Sequence, residues 1–466
     1  EDLYAAKKTY GQDINTSLGN AADPIDADQK LQEDALMSYV ASVNYSYDDK
    51  YYASFSFRRD GSSRLSPDTR WGNFWSLSAS WRLSQERFMQ PLKSVLSDLK
   101  LRASYGVNGN LPSSYYGYQS TYTTGAFYSG KPSPWESTLG NEELTWEKNY
   151  ALNLGLDIGL FSRVNVSLDW YTRTTKDLLM SKQLNSISGF SSLLTNVGQM
   201  RNTGVELEVR SNNIKTKDFS WTTAFNLSHN KNKILKLADL PWFVDGRYVR
   251  KEGYPFNTIY LREYAGVDPE TGSALYYDNQ QDENGNYTKN KVTDPGQASP
   301  IPLKDITPTI SGGFMNTFNY KFIDLSFNLS YSFGGYSYDN ASYILQDDGY
   351  SVISNKSTEQ RRRWQKPGDI TDVPRFVYGN KKGGNYNSSR AIHSTDHIRL
   401  KSLILGLNAP KAWLQKLGIG NARIYFSGTN LLTWAAYDQY DPEMSGVVGF
   451  YTPPLKTYAF GLELKF

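Results

Sequence analysis

The chain has no cysteine among its 466 residues. That removes disulfides, thiolate metal sites and cysteine nucleophiles together. Histidine is nearly absent too, with three residues, so imidazole chemistry has few places to sit. No run of 18 apolar residues occurs, which excludes a transmembrane helix. Basic and acidic residues almost cancel, 50 against 47, so no charge excess points to nucleic acid. The opening stretch EDLYAAKKTYGQDINTSLGNAADP is polar and rich in Gly, Pro and Asn, unlike a secretory leader.

Aromatic residues are abundant instead: 35 Tyr, 21 Phe and 11 Trp make up 14% of the chain. Tyr and Trp combine an apolar body with a polar tip, which suits membrane interfaces and flat ligand faces. Their spacing is mostly two. MSYVASVNYSY places Tyr39, Ala41, Val43, Tyr45 and Tyr47 on one face, and NFWSLSASWRLS places Trp75, Leu77, Ala79, Trp81 and Leu83 likewise. Serine, asparagine and charged residues fill the other face. The same alternation recurs to the closing TYAFGLELKF, where Tyr458, Phe460, Leu462, Leu464 and Phe466 oppose Gly461, Glu463 and Lys465.

Many alternating runs reach ten residues, beyond the roughly 5 to 6 typical of globular strands and matching the roughly 9 to 11 that cross a bilayer. The expected fold is therefore all-β: a transmembrane antiparallel β-barrel, apolar outside and polar within. Connections alternate between short (FSR at 161–163, KFID at 321–324) and long (108–145, 335–394, 434–456) in step with strand parity. Short turns are read as periplasmic and long loops as extracellular. The count is 13 or 15 strands over 36–466, the higher number if the segment around GVDPETG adds a hairpin. Residues 1–35 read as the remnant of an extracellular loop. An odd count implies the C-terminal portion of a larger barrel, so the seam at Phe466 needs a first strand from elsewhere. Two connections, SQERFMQPLKSVLSDLK and APKAWLQKLGIGN, read as short helical caps.

Catalytic and metal patterns are thin. His393 and His397 flank Asp396 at i, i+4, a helical ligand spacing, but on a strand these positions lie about 13 Å apart. DNQQDENGNYTKN (278–290) has calcium-type oxygens without the EF-hand order, and reads as an Asx-rich loop. No G-x-S-x-G elbow occurs, and an enzyme is not expected. RRRW at 361–364 reads as a solvated basic loop. The candidate binding features are aromatic loops: Tyr115, Tyr116, Tyr118, Tyr122 and Trp135 in one, and Asp347, Asp348 and Tyr350 in another. Rings stack on sugars and carboxylates accept hydroxyl donors, so this composition suits a glycan vestibule; an aromatic girdle or packing on a lid is the bland alternative.

YYASFSFRRDGSSRL, LKLRASYGVNGN, LTWEKNYALNLGLDIGL, VSLDWYTRTTKDLL, NVGQMRNTGVELEV, FNLSHNKNKI, RWQKPGDITDVPRF, DHIRLKSLILGLNAP and SGTNLLTW follow one another in order. From about residue 36 to 466 they resemble the C-terminal barrel of SusC/RagA-type TonB-dependent outer-membrane transporters. The resemblance implies a barrel of about 22 strands with an N-terminal plug, the plug and first strands lying outside this chain. It also implies import of an oligosaccharide or peptide driven by the TonB complex, and a SusD-like lipoprotein lid. No cofactor or metal is implied. Gly461, Leu464 and Phe466 resemble the terminal signal read by barrel-assembly machinery. The other function classes considered are a soluble glycan-binding protein or adhesin, disfavoured by exposed apolar stripes, and a passive porin.

Overall fold

The computed structural model describes residues 2–6, 26–237, 240–351, 353–380, 387–410, 413–414 and 418–466. Its frame is one 13-stranded sheet in which every neighbouring pair is antiparallel. In chain order the strands are β1 (Leu36–Tyr47), β2 (Tyr51–Ser62), β3 (Trp71–Arg82), β4 (Leu96–Asn110) and β5 (Glu147–Leu160). There follow β6 (Val164–Lys176), β7 (Gln199–Lys215), β8 (Phe219–Lys236) and β9 (Ile310–Tyr320). The last four are β10 (Ile323–Phe333), β11 (His397–Asn408), β12 (Asn421–Ala435) and β13 (Thr457–Lys465). Spatial order equals chain order, with β1 and β13 at the two edges.

Register converts the alternation into a belt. Leu77 lies beside Tyr105, Tyr105 beside Leu152, Leu168 beside Leu207, Leu207 beside Leu227, and Phe225 beside Phe314. The belt continues through Phe314–Leu329, Phe327–Leu403, Leu405–Phe426 and Phe426–Phe460. Large side chains on this face stay exposed: Val43 by 65%, Leu77 by 52%, Phe460 by 82%. A solvated protein would hide such a contiguous surface; a lipid-facing wall presents it.

The opposite face is polar and internally paired. Arg102 pairs with Asp157 on the neighbouring β5 at 2.8 Å and reaches across that strand to Asp169 on β6 at 2.9 Å. Arg423 reaches Asp324 at 2.6 Å across β11. Both pairs pass over a glycine: a Cβ on Gly155 would lie 2.6 Å from Arg102 Cζ, and one on Gly406 2.4 Å from Asp324 Oδ1. The missing side chains are what let charges two strands apart meet.

At one end the connections are tight. Asp48 and Asp49 both take positive φ (52° and 54°), giving the two-residue turn whose twist suits a hairpin. At the other end the connections are long and folded. Among the described residues of 231–307 there is no crossing: β8 runs on to Lys236, and the GVDPETG hairpin, Tyr264–Val267 with Ala274–Tyr277, joins a small three-stranded sheet outside the main one. The buried apolar clusters gather at this end, where the long connections fold onto the ends of the wall strands. Leu65, Phe74, Leu144 and Trp146 form one, and Ile259, Leu261, Tyr338 and Ala391 another.

The first helical cap is corrected. Residues 84–100 form two 3₁₀ turns, Leu83–Gln85 and Arg87–Leu92, and β4 already begins at Leu96. Pro91 removes a backbone donor inside the second turn, and sheet pairing of Lys100 with Arg82 claims the rest. In the second cap only Trp413 and Leu414 are helical among the described residues; 411–412 and 415–417 lie outside them. Asp2–Ala6 pairs with Asp26–Lys30, and 7–25 lie outside the described residues.

Gly406→Val is expected to drive a methyl group into the Asp324–Arg423 pair and lower folding stability in detergent by about 1–3 kcal/mol. Gly313→Ala meets nothing nearer than 3.5 Å and serves as the neutral control. Thermal unfolding of both variants reads this out; equal midpoints would rule out the space-making role of Gly406.

Candidate functional site

The long-loop end of the sheet carries the candidate site, and its loops are held by buried charges. In the 334–396 loop, Asp348 is fully buried and pairs with Arg390 (2.5 Å), while Gln360 donates to its second oxygen at 2.9 Å. Burial pushes the Asp348 carboxyl up, and the adjacent Arg390 guanidinium opposes that shift. Asp347, 2% exposed, pairs with Lys356 at 2.6 Å and accepts from Ser351 N–H at 2.8 Å. Both carboxylates are thus consumed in building the loop. Buried and paired, the two carboxylates face the interior of their own loop. Tyr350 is half exposed beside them.

The aromatic residues of the 111–146 connection divide into two places. Tyr115 lies under the Arg64 guanidinium, 4.1 Å from its ring centroid, and 6.4 Å from the Tyr116 ring. Tyr116 OH accepts from Glu33 N–H at 3.2 Å, and Tyr118 OH accepts from Gln119 at 2.7 Å. These three anchor the base of the loop. Tyr122 and Trp135 stand on the hairpin Thr121–Tyr128/Lys131–Thr138, 67% and 58% exposed. Register places Tyr122 opposite Glu136 and Trp135 opposite Thr123, so the rings leave opposite faces of the ribbon.

The two histidines near Asp396 do not converge. His393 stacks flat on Tyr437, centroids 3.7 Å apart and planes within 2°. His397 Nδ1 contacts its own loop at Thr395 O, 2.8 Å. Asp396 instead caps the β10 end, accepting from Gly334 N–H at 2.6 Å. Among the described residues no group of three or more His, Asp or Glu side chains is placed to hold a metal. In the 278–290 loop, Asp278 accepts from Thr288 (2.7 Å) and Asn290 (2.9 Å), and Asp282 accepts from Asn286 N–H. Those oxygens are turned inward to close the loop.

Two cavities open at this end. The larger, about 990 Å³, is lined by Asp339, Arg399, Trp434, Tyr437, Asp441 and Tyr451 among others. Arg399, 3% exposed on β11, ties the 436–456 loop to the wall through Asp441 (2.8 Å) and Glu443 (2.9 Å). Tyr437 OH donates to Asp339 at 3.0 Å, and Ser337 bonds Tyr440. The smaller cavity, about 450 Å³, lies in the 237–309 connection. Neither was legible from motifs: their lining residues come from segments distant in sequence, and the only available cue was local aromatic density.

A family model described as TonB dependent receptor-like, beta-barrel, matches residues 3–259. TonB-dependent receptor P3 of Formosa agariphila is 33% identical over 94% of this chain and 46% of its own length. TonB-dependent receptor SusC of Bacteroides thetaiotaomicron is 31% identical over 94% of this chain and 45% of its own. The structure of the RagAB peptide transporter superposes with a TM-score of 0.86 at 31% identity, over 97% of this chain and 49% of that one. The chain spans about half the length of these relatives.

Two predictions follow the buried groups. Asp348→Ala leaves Arg390 buried without a counter-charge, a loss of about 3–5 kcal/mol to the 334–396 loop. Faster amide exchange at 347–350 and 388–391 reports it; unchanged exchange would remove the pair from the loop's support. Burial also holds the His393 imidazole below its ordinary 6.5, with Asp339 opposing. The folded loop therefore keeps a neutral ring, and its stability is full above pH 6.5. It declines as pH falls from there toward the lowered folded value, because the unfolded loop takes the proton first. Proteolytic resistance of the loop is expected to drop between pH 7 and 5, and less so in His393→Gln; equal slopes would clear His393.

Proposed function

We propose, from the premise that this chain belongs to the TonB-dependent receptor β-barrel family and is an outer-membrane protein of the SusC/RagA type, that it forms the wall and outer loops of an importer. The observation that carries this reading is the two-sided sheet: an unbroken apolar belt outside, paired charges within, and long loops folded over one mouth. The likeness to the RagAB peptide transporter over 97% of the chain supports it.

In this reading the short turns face the periplasm and the long loops face outward. Cargo, an oligosaccharide or a peptide, meets the outer loops first, with the exposed rings of Tyr122, Trp135 and Tyr350 as contact surface. Tyr115, Tyr116 and Tyr118 hold the base of that surface. A SusD-like lipoprotein lid closes over the mouth, and the TonB complex acts through a plug outside the segment described. Closing the pore with a plug is what separates this reading from a passive porin. Gly461, Leu464 and Phe466 form the terminal assembly signal. Gly461 has a further physical role, since a Cβ there would meet the Tyr425 ring at 2.3 Å.

Two experiments test the proposal. An affinity tag inserted at Gly130, a turn where an added Cβ would have no neighbour within 4 Å, allows extraction from outer membranes without disturbing the wall. Recovery of a plug, on the tagged polypeptide or beside it, together with a lipoprotein is expected; a barrel with neither would sink the importer reading. Replacing Tyr122 and Trp135 together by Ala is then expected to lower cargo uptake several-fold at unchanged membrane abundance. Undiminished uptake would take the hairpin out of the cargo path.

A further inference from the structure

The smaller cavity has a constitution of its own. Four short strands, Trp242–Asp245, Tyr248–Lys251, Thr258–Leu261 and Ile301–Asp305, make a sheet within the 237–309 connection. Alternation along the third strand sends Ile259 and Leu261, 1% and 7% exposed, into a core shared with Tyr338. Tyr260, between them, turns the other way and lines the cavity. There its ring lies 5.9 Å from that of Trp242, tilted by 50°. Tyr287 completes the aromatic surface; Trp242 and Tyr287 remain 44% and 37% exposed.

Facing these rings are amides. Asn279, Gln280 and Gln281 line the cavity with Ser299. Asn279 is oriented by Lys289, which donates to its Oδ1 at 3.0 Å, and Gln280 Nε2 reaches Ser299 Oγ at 3.2 Å. Among the described residues no carboxylate lines the cavity, and the one lining cation, Lys251, has its ammonium 5.1 Å from the Tyr254 ring centroid. Rings, amides and a hydroxyl without net acid suit a ligand rich in hydroxyls and free of charge. The volume, about 450 Å³, lies within the range of small-ligand sites, roughly 300–1,000 Å³.

An extended peptide fits less well. Peptide capture at a sheet edge runs on main-chain hydrogen bonds. Of the sheet's two edge strands, Trp242–Asp245 and Ile301–Asp305, the second is blocked, because Pro300 and Pro302 lack the N–H that an added strand would need. We propose that this pocket is a subsite for a neutral oligosaccharide, its sugar rings stacked on Trp242, Tyr260 and Tyr287 and its hydroxyls met by Gln280 and Gln281. The proposal rests on the importer reading for its purpose, and its test reads binding alone.

The experiment titrates the detergent-solubilised complex with cello-, malto-, xylo-, laminari- and mannohexaose, following heat of binding, with hexaalanine and a hexagalacturonate as further arms. At least one neutral hexasaccharide is expected to bind, and Trp242→Ala to weaken it roughly tenfold, with Trp242→Phe retaining most of the affinity. Because Trp242 and Tyr287 stand outside the loop core, their variants are expected to keep the parent's thermal midpoint, which is measured alongside. Binding of none of the five sugars overturns the assignment. So does binding indifferent to both Trp242→Ala and Tyr260→Ala, and so does tighter Trp242-dependent binding of hexaalanine or the hexagalacturonate. Sugar binding that persists where cells show no uptake supports the pocket and counts against the importer reading instead.

Discussion

Hydrocarbon offers no partner for a backbone amide, and that constraint shapes everything else in this chain. Each strand from β2 to β12 meets it by pairing with both neighbours along most of its length. The two edge strands cannot meet it within the sheet, so the outward N–H and C=O groups of Leu36–Tyr47 and Thr457–Lys465 require strands beyond it. The relatives are about twice as long, and their remaining half is where such strands belong in the importer reading. The apolar belt follows from the same constraint. With every main-chain group committed to a neighbour, only side chains are left to face lipid, and alternation supplies them at every second position.

The inner face solves a different problem. A narrow alternation leaves Ser, Asn, Arg and Asp pointing into the lumen, where isolated charges near a low-dielectric wall are expensive. Arg102 pairs with Asp157 on the next strand and reaches across that strand to Asp169, and Gly155 clears the path between Arg102 and Asp169. The glycine is thus a consequence of where the charges sit, two strands apart, and not of any turn.

Much of the wall was legible in the sequence because its rule is local. Period two, read over ten residues, names the strands, their faces and the belt, and connection length names the two ends. Along β8 the two-sided alternation fades towards its long-loop end, where Lys231, Lys233 and Lys236 enter the strand. The loops were legible only in composition. Asp347 and Asp348 look like ligands in a string of polar residues; their partners Lys356 and Arg390 lie nine and 42 positions away, and nothing local announces the burial. Likewise Trp242, Tyr260 and Tyr287 belong to three separate strings, and only the small sheet around Ile259 brings their rings to one cavity.

That contrast has a structural cause. The wall has no interior of its own, since one face meets lipid and the other the lumen, so its residues answer to a solvent and not to a packing partner. The loops carry the apolar cores, Leu65 with Trp146 and Ile259 with Tyr338, and the buried ion pairs that tie them. Each loop body therefore holds its shape by contacts it mostly makes with itself or the next loop, such as Tyr264 N–H to Ser389 Oγ at 2.9 Å. A binding surface built on such bodies is held by these loop contacts together with a few ties to the strand ends, such as Arg399 with Asp441. The wall, in turn, tolerates any loop whose ends meet its strand spacing, which is why two cavities of different lining, one with Arg399 and Asp441 and one uncharged but for Lys251, can stand over a single sheet.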